Sequence, residues 1–300
     1  MKHDSVRPRL GTAATVALTT VALLAFAANS LLCRAALRPG LVDAASFTSV
    51  RLASGALALV LVARLTGRGG GSSTGSWLSA LALFAYAAFF SFAYLRLDAG
   101  VGALVLFGSV QATMIGWGLA AGERPRSAEW VGLAVSLLGL VLLTRPGLTS
   151  PDPAGTLLMA LAGVAWGAYS LRGRASPDAV ADNASNFART VPMALAASLL
   201  AIGQAHLSTG GVLLAGASGA LTSGVGYAVW FLALRGLTPA RAAMVQLAVP
   251  VLAAVGGVLF LGERVTLRLL AAGILVLGGI ALAVTARRPA AVVAAPAPEA

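Results

Sequence analysis

Asn29, Arg51, Gln111 and Gln246 stand in stretches of sequence that are otherwise almost wholly apolar. A guanidinium keeps its charge in any protein environment, and a carboxamide carries both donors and acceptors. Away from water such groups must find partners, so each either ties helices together or binds a polar solute. Arg51 lies about eight residues into its stretch, roughly 12 Å of helical rise, too deep for snorkelling alone. A charge at membrane depth costs about 2.5–3.5 kcal/mol on insertion scales and marks a functional candidate by default. Arg189 sits near the start of another stretch and reads as a side chain snorkelling to the interface. Tyr86, Tyr227 and Trp230 are also deep, and could line a path for a partly apolar solute with a hydroxyl or indole N–H in reach. Tyr94, Trp166 and Tyr169 lie nearer the ends, where aromatic rings serve as interfacial anchors. Pro250 falls in mid-stretch and lacks an N–H, so a kink or local opening is expected beside Gln246.

Other chemistries find little support. An enzyme needs a constellation of acid, base or metal ligands, and the apolar stretches contain none. No G-x-x-x-x-G-K-[ST] phosphate loop, H-E-x-x-H pair or nucleophile elbow occurs, and His3 and His206 are solitary. Cys33 is the single cysteine, which excludes an internal disulfide. The chain therefore reads as a non-enzyme with neither cofactor nor metal. Its net charge of +11 is scattered in single and paired arginines, without the basic stripe or interleaved aromatics of a nucleic-acid binder.

The elements that must position these residues are membrane-spanning helices. Hydrophobic residues make up 58% of the chain and charged ones 10%, with a mean hydropathy of +0.88, whereas soluble domains carry about 25% charged residues. Ten spans are expected, over 11–32, 43–63, 77–95, 100–121, 129–144, 154–171, 187–205, 212–234, 240–261 and 267–286. The Gly/Ser-rich run 67–76 joins spans two and three, and Ser150-Pro151-Asp152-Pro153 separates spans five and six. Lys2, Arg7 and Arg9 before a run ending Ala25-Phe26-Ala27 resemble a signal peptide. That run continues to Leu32, and its removal would leave nine spans, so it is read as span one. Lys and Arg concentrate in the N-terminal arm, at 64–68, 124–126, 172–174, 235–241 and 287–288, which places both termini in the cytoplasm.

Gly122-Glu123-Arg124 returns as Gly262-Glu263-Arg264, each closing an apolar stretch. Laid over each other without a gap, residues 94–142 and 234–282 share eleven identities in 49 positions. Asp98 then falls on Thr238, both suited to cap a helix, and Pro239 takes the first helical position. Five spans is an odd number, so the second half enters the membrane with opposite orientation. An inverted repeat places a solute near the midplane between the halves. The glutamates read as interfacial partners of the neighbouring arginines, with proton coupling as the alternative. Gly118-x-x-x-Gly122, Gly163-x-x-x-Gly167 and Ser218-x-x-x-Thr222 read as faces for close helix packing.

The run from Gly224 to Leu282 closely resembles the second EamA domain of drug/metabolite transporter superfamily proteins. Its most specific pieces are Thr238-Pro239-Ala240-Arg241-Ala242-Ala243, Gln246-Leu247-Ala248-Val249-Pro250 and Gly262-Glu263-Arg264. The first half resembles the other EamA domain through Phe47-x-x-x-Arg51, the Gly122 triplet and a reduced Phe26-Ala27-Ala28-Asn29 pattern. The resemblance implies an all-α membrane protein of ten helices in two inverted five-helix repeats, 11–146 and 154–286, while the tail, 287–300, of Pro, Ala, Val and Glu after Arg288, reads from its composition as disordered. It also implies a path lined by spans one, three, four, six, eight and nine. The expected function is a secondary transporter in the cytoplasmic membrane that exports a small organic metabolite, such as an amino acid, by alternating access. The residues expected to bind solute or line its path are Asn29, Arg51, Tyr86, Gln111, Tyr227, Trp230, Gln246 and Pro250. Expected partners are the solute and membrane lipid, with a homodimer left open. The alternatives are a scaffold or accessory subunit without transport, and a multidrug-type efflux carrier.

Overall fold

The computed structural model describes residues 11–67, 75–122, 127–144, 150–173, 176, 178–237 and 245–286. It contains α1 (Thr12–Leu37), α2 (Ala44–Leu65), α3 (Trp77–Tyr94), α4 (Ala99–Ala120), α5 (Ser127–Thr144), α6 (Pro153–Gly173) and α7 (Ala179–Leu200). These are followed by α8 (Thr209–Ala233), α9 (Ala248–Leu261) and α10 (Leu267–Ala286). Among the described residues there is no strand, only one antiparallel bridge between Val42 and Leu207. Helices α1, α2, α3, α4, α6 and α8 are long and apolar enough to cross a membrane. Their outward faces carry large exposed apolar side chains such as Leu57, Trp117, Leu161 and Leu213, as lipid rather than water requires.

Capping side chains start several helices. Asp43 accepts from Ser46 N, Ser76 from Ser79 N, Asp152 from Gly155 N, Asp178 from Val180 N and Ala181 N, and Ser208 from Gly211 N. Asp98 precedes α4 with extended backbone but makes no such bond. Its expected counterpart Thr238, with Pro239, lies outside the described residues. Gly122 and Gly262 close α4 and α9 with φ of 86° and 65°, the left-handed geometry that only glycine adopts cheaply. The repeated triplet thus begins as helix-ending punctuation in both halves.

Two elements depart from expectation, and a third shows the opening expected beside Gln246. Helix α7 starts at Ala179 rather than near 187, because Asp182, Asn183 and Asn186, which read as a polar connection, are buried on it. Helix α8 is not α-helical throughout, since Ser218–Val225 forms a π-helical segment. The ninth span is broken at Leu247, a turn after helical residues 245–246, and α9 resumes at Ala248. Pro250 therefore lies in the first turn of α9, where its missing N–H leaves the carbonyl of Gln246 without the usual i→i−4 bond.

The main core cluster is built where α3 packs on α6, α4 on α6, α2 on α7, and α1 on α8 and α9, while α5 pairs with α10; a small second cluster joins Ala22 of α1 to Trp230 and Ala233 of α8. Close crossings use small residues. A Cβ on Gly163 would meet Ser109 Cβ at 2.5 Å, and one on Gly219 would run into the Arg51 carbonyl, so both crossings need a residue without a side chain.

Candidate functional site

Where α1, α3, α4, α6, α8 and the segment before α9 converge, they leave a cavity of about 30 Å³. Its wall is formed by Phe26, Asn29 and Ser30 of α1, Tyr86 and Phe90 of α3, and Leu106 and Phe107 of α4. Trp166 of α6, Tyr227 of α8 and Gln246 complete it. The rings interlock: Trp166 stands 4.8 Å from Tyr86 and 5.0 Å from Tyr227, centroid to centroid. Phe26 meets Tyr227 edge-on at 5.9 Å. A space this small holds water-sized molecules, so a larger guest requires the helices around it to part.

The π-helical segment feeds polar groups towards this chamber. Ser218 Oγ donates to Asn29 Oδ1 at 2.7 Å, and Thr222 Oγ1 lies 3.2 Å from the same oxygen. These residues do more than bring helices close, which is all that their spacing indicated. One residue further on, Ser223 Oγ accepts from Arg51 Nε at 3.2 Å. Arg51 is 1% exposed. Its Nη2 donates to Tyr86 Oη at 3.1 Å, and its guanidinium carbon lies 5.2 Å from the Tyr86 ring centre and 4.9 Å from that of Phe90. Nη1 has no acceptor. The guanidinium therefore stands directly behind the aromatic wall, held by neutral hydroxyls and ring faces.

Both ends of the bundle are tied. At one end Arg34 Nη1 donates to the Tyr94 carbonyl at 2.8 Å and Nη2 to Asp98 Oδ1 at 3.0 Å, with Glu263 Oε1 3.4 Å from Nε. Glu263 also takes the free N–H of Ala99 at 2.9 and 3.0 Å on its two oxygens. It thereby caps α4 in place of Asp98, from the far half of the sequence. Glu263 does not simply turn to its neighbour Arg264, as its position at a helix end implied. It is 8% exposed, while Arg264 faces out. Burial pushes the Glu263 carboxyl above the ordinary carboxylate range. The Asp98 charge adds to this, and the Ala99 N–H and Arg34 pull the other way without cancelling it. Glu123 and Arg124 lie outside the described residues.

At the other end Tyr169 Oη donates to Asn183 Oδ1 at 2.6 Å, and Asn186 Oδ1 accepts from Ser76 N at 3.0 Å. Arg172 Nε donates to Ser79 Oγ at 3.0 Å. Tyr94, whose Oη donates to the Ala99 carbonyl at 3.3 Å, and Tyr169 are buried hydrogen-bonding residues, not interfacial anchors, and Trp166 belongs to the cavity wall. Arg189 is half-buried and donates to Ser185 Oγ.

Comparison with known proteins fits this architecture. A model of the EamA-like transporter family matches residues 153–285. An uncharacterized protein of Pseudomonas aeruginosa is 50% identical over 273 residues, which is 91% of this chain and 95% of that protein. The chain belongs to the EamA-like transporter family. EamA proteins are transporters rather than enzymes, and this one is a multi-pass membrane transporter of the drug/metabolite type. A solved crystal structure at 21% identity shares the fold, with a TM-score of 0.67 over 93% of this EamA chain and 100% of the other.

Of the residues singled out in this EamA sequence, Asn29, Tyr86, Tyr227 and Gln246 line the cavity, and Arg51 stands one layer behind. Trp230 does not reach it; its ring packs on Phe26 at 5.7 Å, against Ala22 and Ala233. Gln111 faces a separate crevice between α4, α5 and α10, beside Ser136 and Ile280. Pro250 is buried in the first turn of α9 and is not part of the wall. Phe26, Ser30, Phe90, Leu106 and Phe107 were not expected in the wall. For Leu106 a signal existed, because the 140-residue offset of the repeat lays it on Gln246, whereas Gln111 falls on Val251.

Proposed function

We propose that this EamA protein is a secondary carrier that exports a small organic metabolite, such as an amino acid, across the cytoplasmic membrane. It works by rocking two inverted five-helix halves about the central cavity. The observation that carries the reading is the chamber itself, walled by aromatic rings and two carboxamides from both halves and tied at each end by polar contacts. Supporting it, the helix packing maps onto itself when the halves are exchanged: α3 on α6 becomes α8 on α1, α4 on α6 becomes α9 on α1, and α3 on α7 becomes α8 on α2. Such internal symmetry lets one closed arrangement interconvert with its mirror in access.

The test is counterflow in proteoliposomes. Vesicles holding the purified protein and an unlabelled amino acid or related metabolite should accumulate the labelled solute. Absence of exchange for every solute, with the protein correctly inserted and under ion gradients of either sign, would remove the carrier and leave a scaffold. The N-in orientation predicts that an impermeant maleimide labels Gly203→Cys in intact cells and leaves Gly173→Cys unlabelled; the reverse pattern overturns it. Native Cys33 is buried and stays silent in this assay.

A further inference from the structure

The cavity wall is neutral, yet a full positive charge lies one side chain behind it. Among the described residues no carboxylate pairs with Arg51. Its partners are two hydroxyls and two ring faces, and Nη1 has no acceptor at all. A guanidinium cannot shed its proton, and a buried charge without a counter-charge is strongly unfavourable. Ring quadrupoles offset part of that cost but leave a planar donor edge unused. The rings stacked on the guanidinium, Tyr86 and Phe90, are also cavity wall, so a rotation of Tyr86 opens a way from the chamber to Arg51.

We propose that Arg51 is the docking point for the carboxylate of the transported solute, and that the cavity takes a monoanion with an apolar body. This rests on the carrier reading and names its substrate class. One guanidinium with no second cation in the wall matches a single negative charge, not a phosphate dianion. Phe26, Phe90, Phe107 and Trp166 provide the apolar surroundings for the body, and Tyr86 Oη shares the anion once it turns from Nη2. A carboxylate accepts two parallel N–H bonds from a guanidinium, which a lysine ammonium cannot reproduce.

The test pairs acids with their neutral amides: benzoate, phenylacetate, 4-methylpentanoate and 3-phenylpropanoate against the corresponding carboxamides. Thermal stabilisation of the whole protein in nanodiscs reads binding, and counterflow reads transport. At least one acid should stabilise the wild type while its amide fails to do so at tenfold higher concentration. Arg51→Lys should weaken that acid at least tenfold, and Arg51→Gln should abolish its effect. Equal binding of acid and amide overturns the proposal, as does no stabilisation by any acid, or a folded Arg51→Gln protein that binds the acid normally. The acid–amide comparison uses the wild type alone, so it stands even where the Arg51 variants fail to fold. Carboxylate binding that depends on Arg51 without any counterflow would sink the carrier reading and keep the site; counterflow undiminished in Arg51→Gln would do the opposite.

Discussion

The two ends of the bundle are closed by different chemistry. At the Arg34 end a buried guanidinium, a half-exposed aspartate and a buried glutamate join α1, α4 and the connection after α9. At the Ser76 end, amides, hydroxyls and backbone N–H groups join α3, α6 and α7, with the buried Asp182 carboxylate accepting from Ser176 Oγ and Arg172 contributing from an exposed position. A charged lock is strong only while every member is present, since each ion removed strands another out of water. A lock made mostly of neutral hydrogen bonds loses one bond at a time. The Arg34 end is therefore the more brittle of the two, and it responds to pH.

Four measurements can break or sharpen this contrast. Arg34→Ala should destabilise the protein by about 3–5 kcal/mol, read as a shift in unfolding midpoint in nanodiscs; a loss under 1 kcal/mol would show that Glu263 and Asp98 are not held by it. Tyr169→Phe deletes the hydroxyl shared with Asn183 and Asn186 and should cost about 1–2 kcal/mol, with no dependence on salt. Arg172→Ala should cost under about 1 kcal/mol, because an exposed side chain trades its bonds for water. If Arg172→Ala equals Arg34→Ala, the two ends do not differ. The smallest effect is that of pH. A carboxyl raised in the folded state, as Glu263 is, contributes stability that is fully present below the unfolded value and lost as pH rises through the folded one. Stability of the wild type should then increase on mild acidification across that window, and Glu263→Gln should flatten the curve. An unchanged profile in the variant would move the titration elsewhere.

Asp43 provides a control with the opposite sign. Burial raises its carboxyl, but the N–H groups of Ser46, His206 and Ala45 and the Ser46 side chain outweigh this and hold it below the usual range. Its contribution is present above the unfolded value and lost as pH falls through the folded one.

What the sequence disclosed follows from which interactions are local. Apolar runs long enough to cross a bilayer and helix-ending glycines are visible without tertiary knowledge, so most helices lie close to their expected bounds. The start of α7 was obscured because Asp182, Asn183 and Asn186 look like loop residues until their partners Ser176, Tyr169 and Ser76 are known. Glu263 was misread for the same reason: its partners, Ala99 and Arg34, are more than 160 residues away in the chain. The two glutamines carry a separate lesson. Both were expected at the site, whereas the register of the repeat, residue n with n + 140, separates them. Gln246 and Leu106 share the cavity wall, while Gln111 faces a crevice outside it and Val251 is half exposed.

The π-helical segment of α8 has a geometric consequence. Its i→i+5 bonds spread a turn over more residues than an α-helix uses, so Ser218–Val225 behaves as an α-helix into which length has been inserted. Everything downstream is rotated relative to an uninterrupted wheel drawn from Thr209, at about 100° for each residue of slip. That offset puts Tyr227 on the chamber while Ser218 and Thr222 still reach Asn29. Removing one residue at Ala220 would let the segment anneal to α-helix, and the aromatic half of α8 would then face a different neighbour from its hydroxyl half.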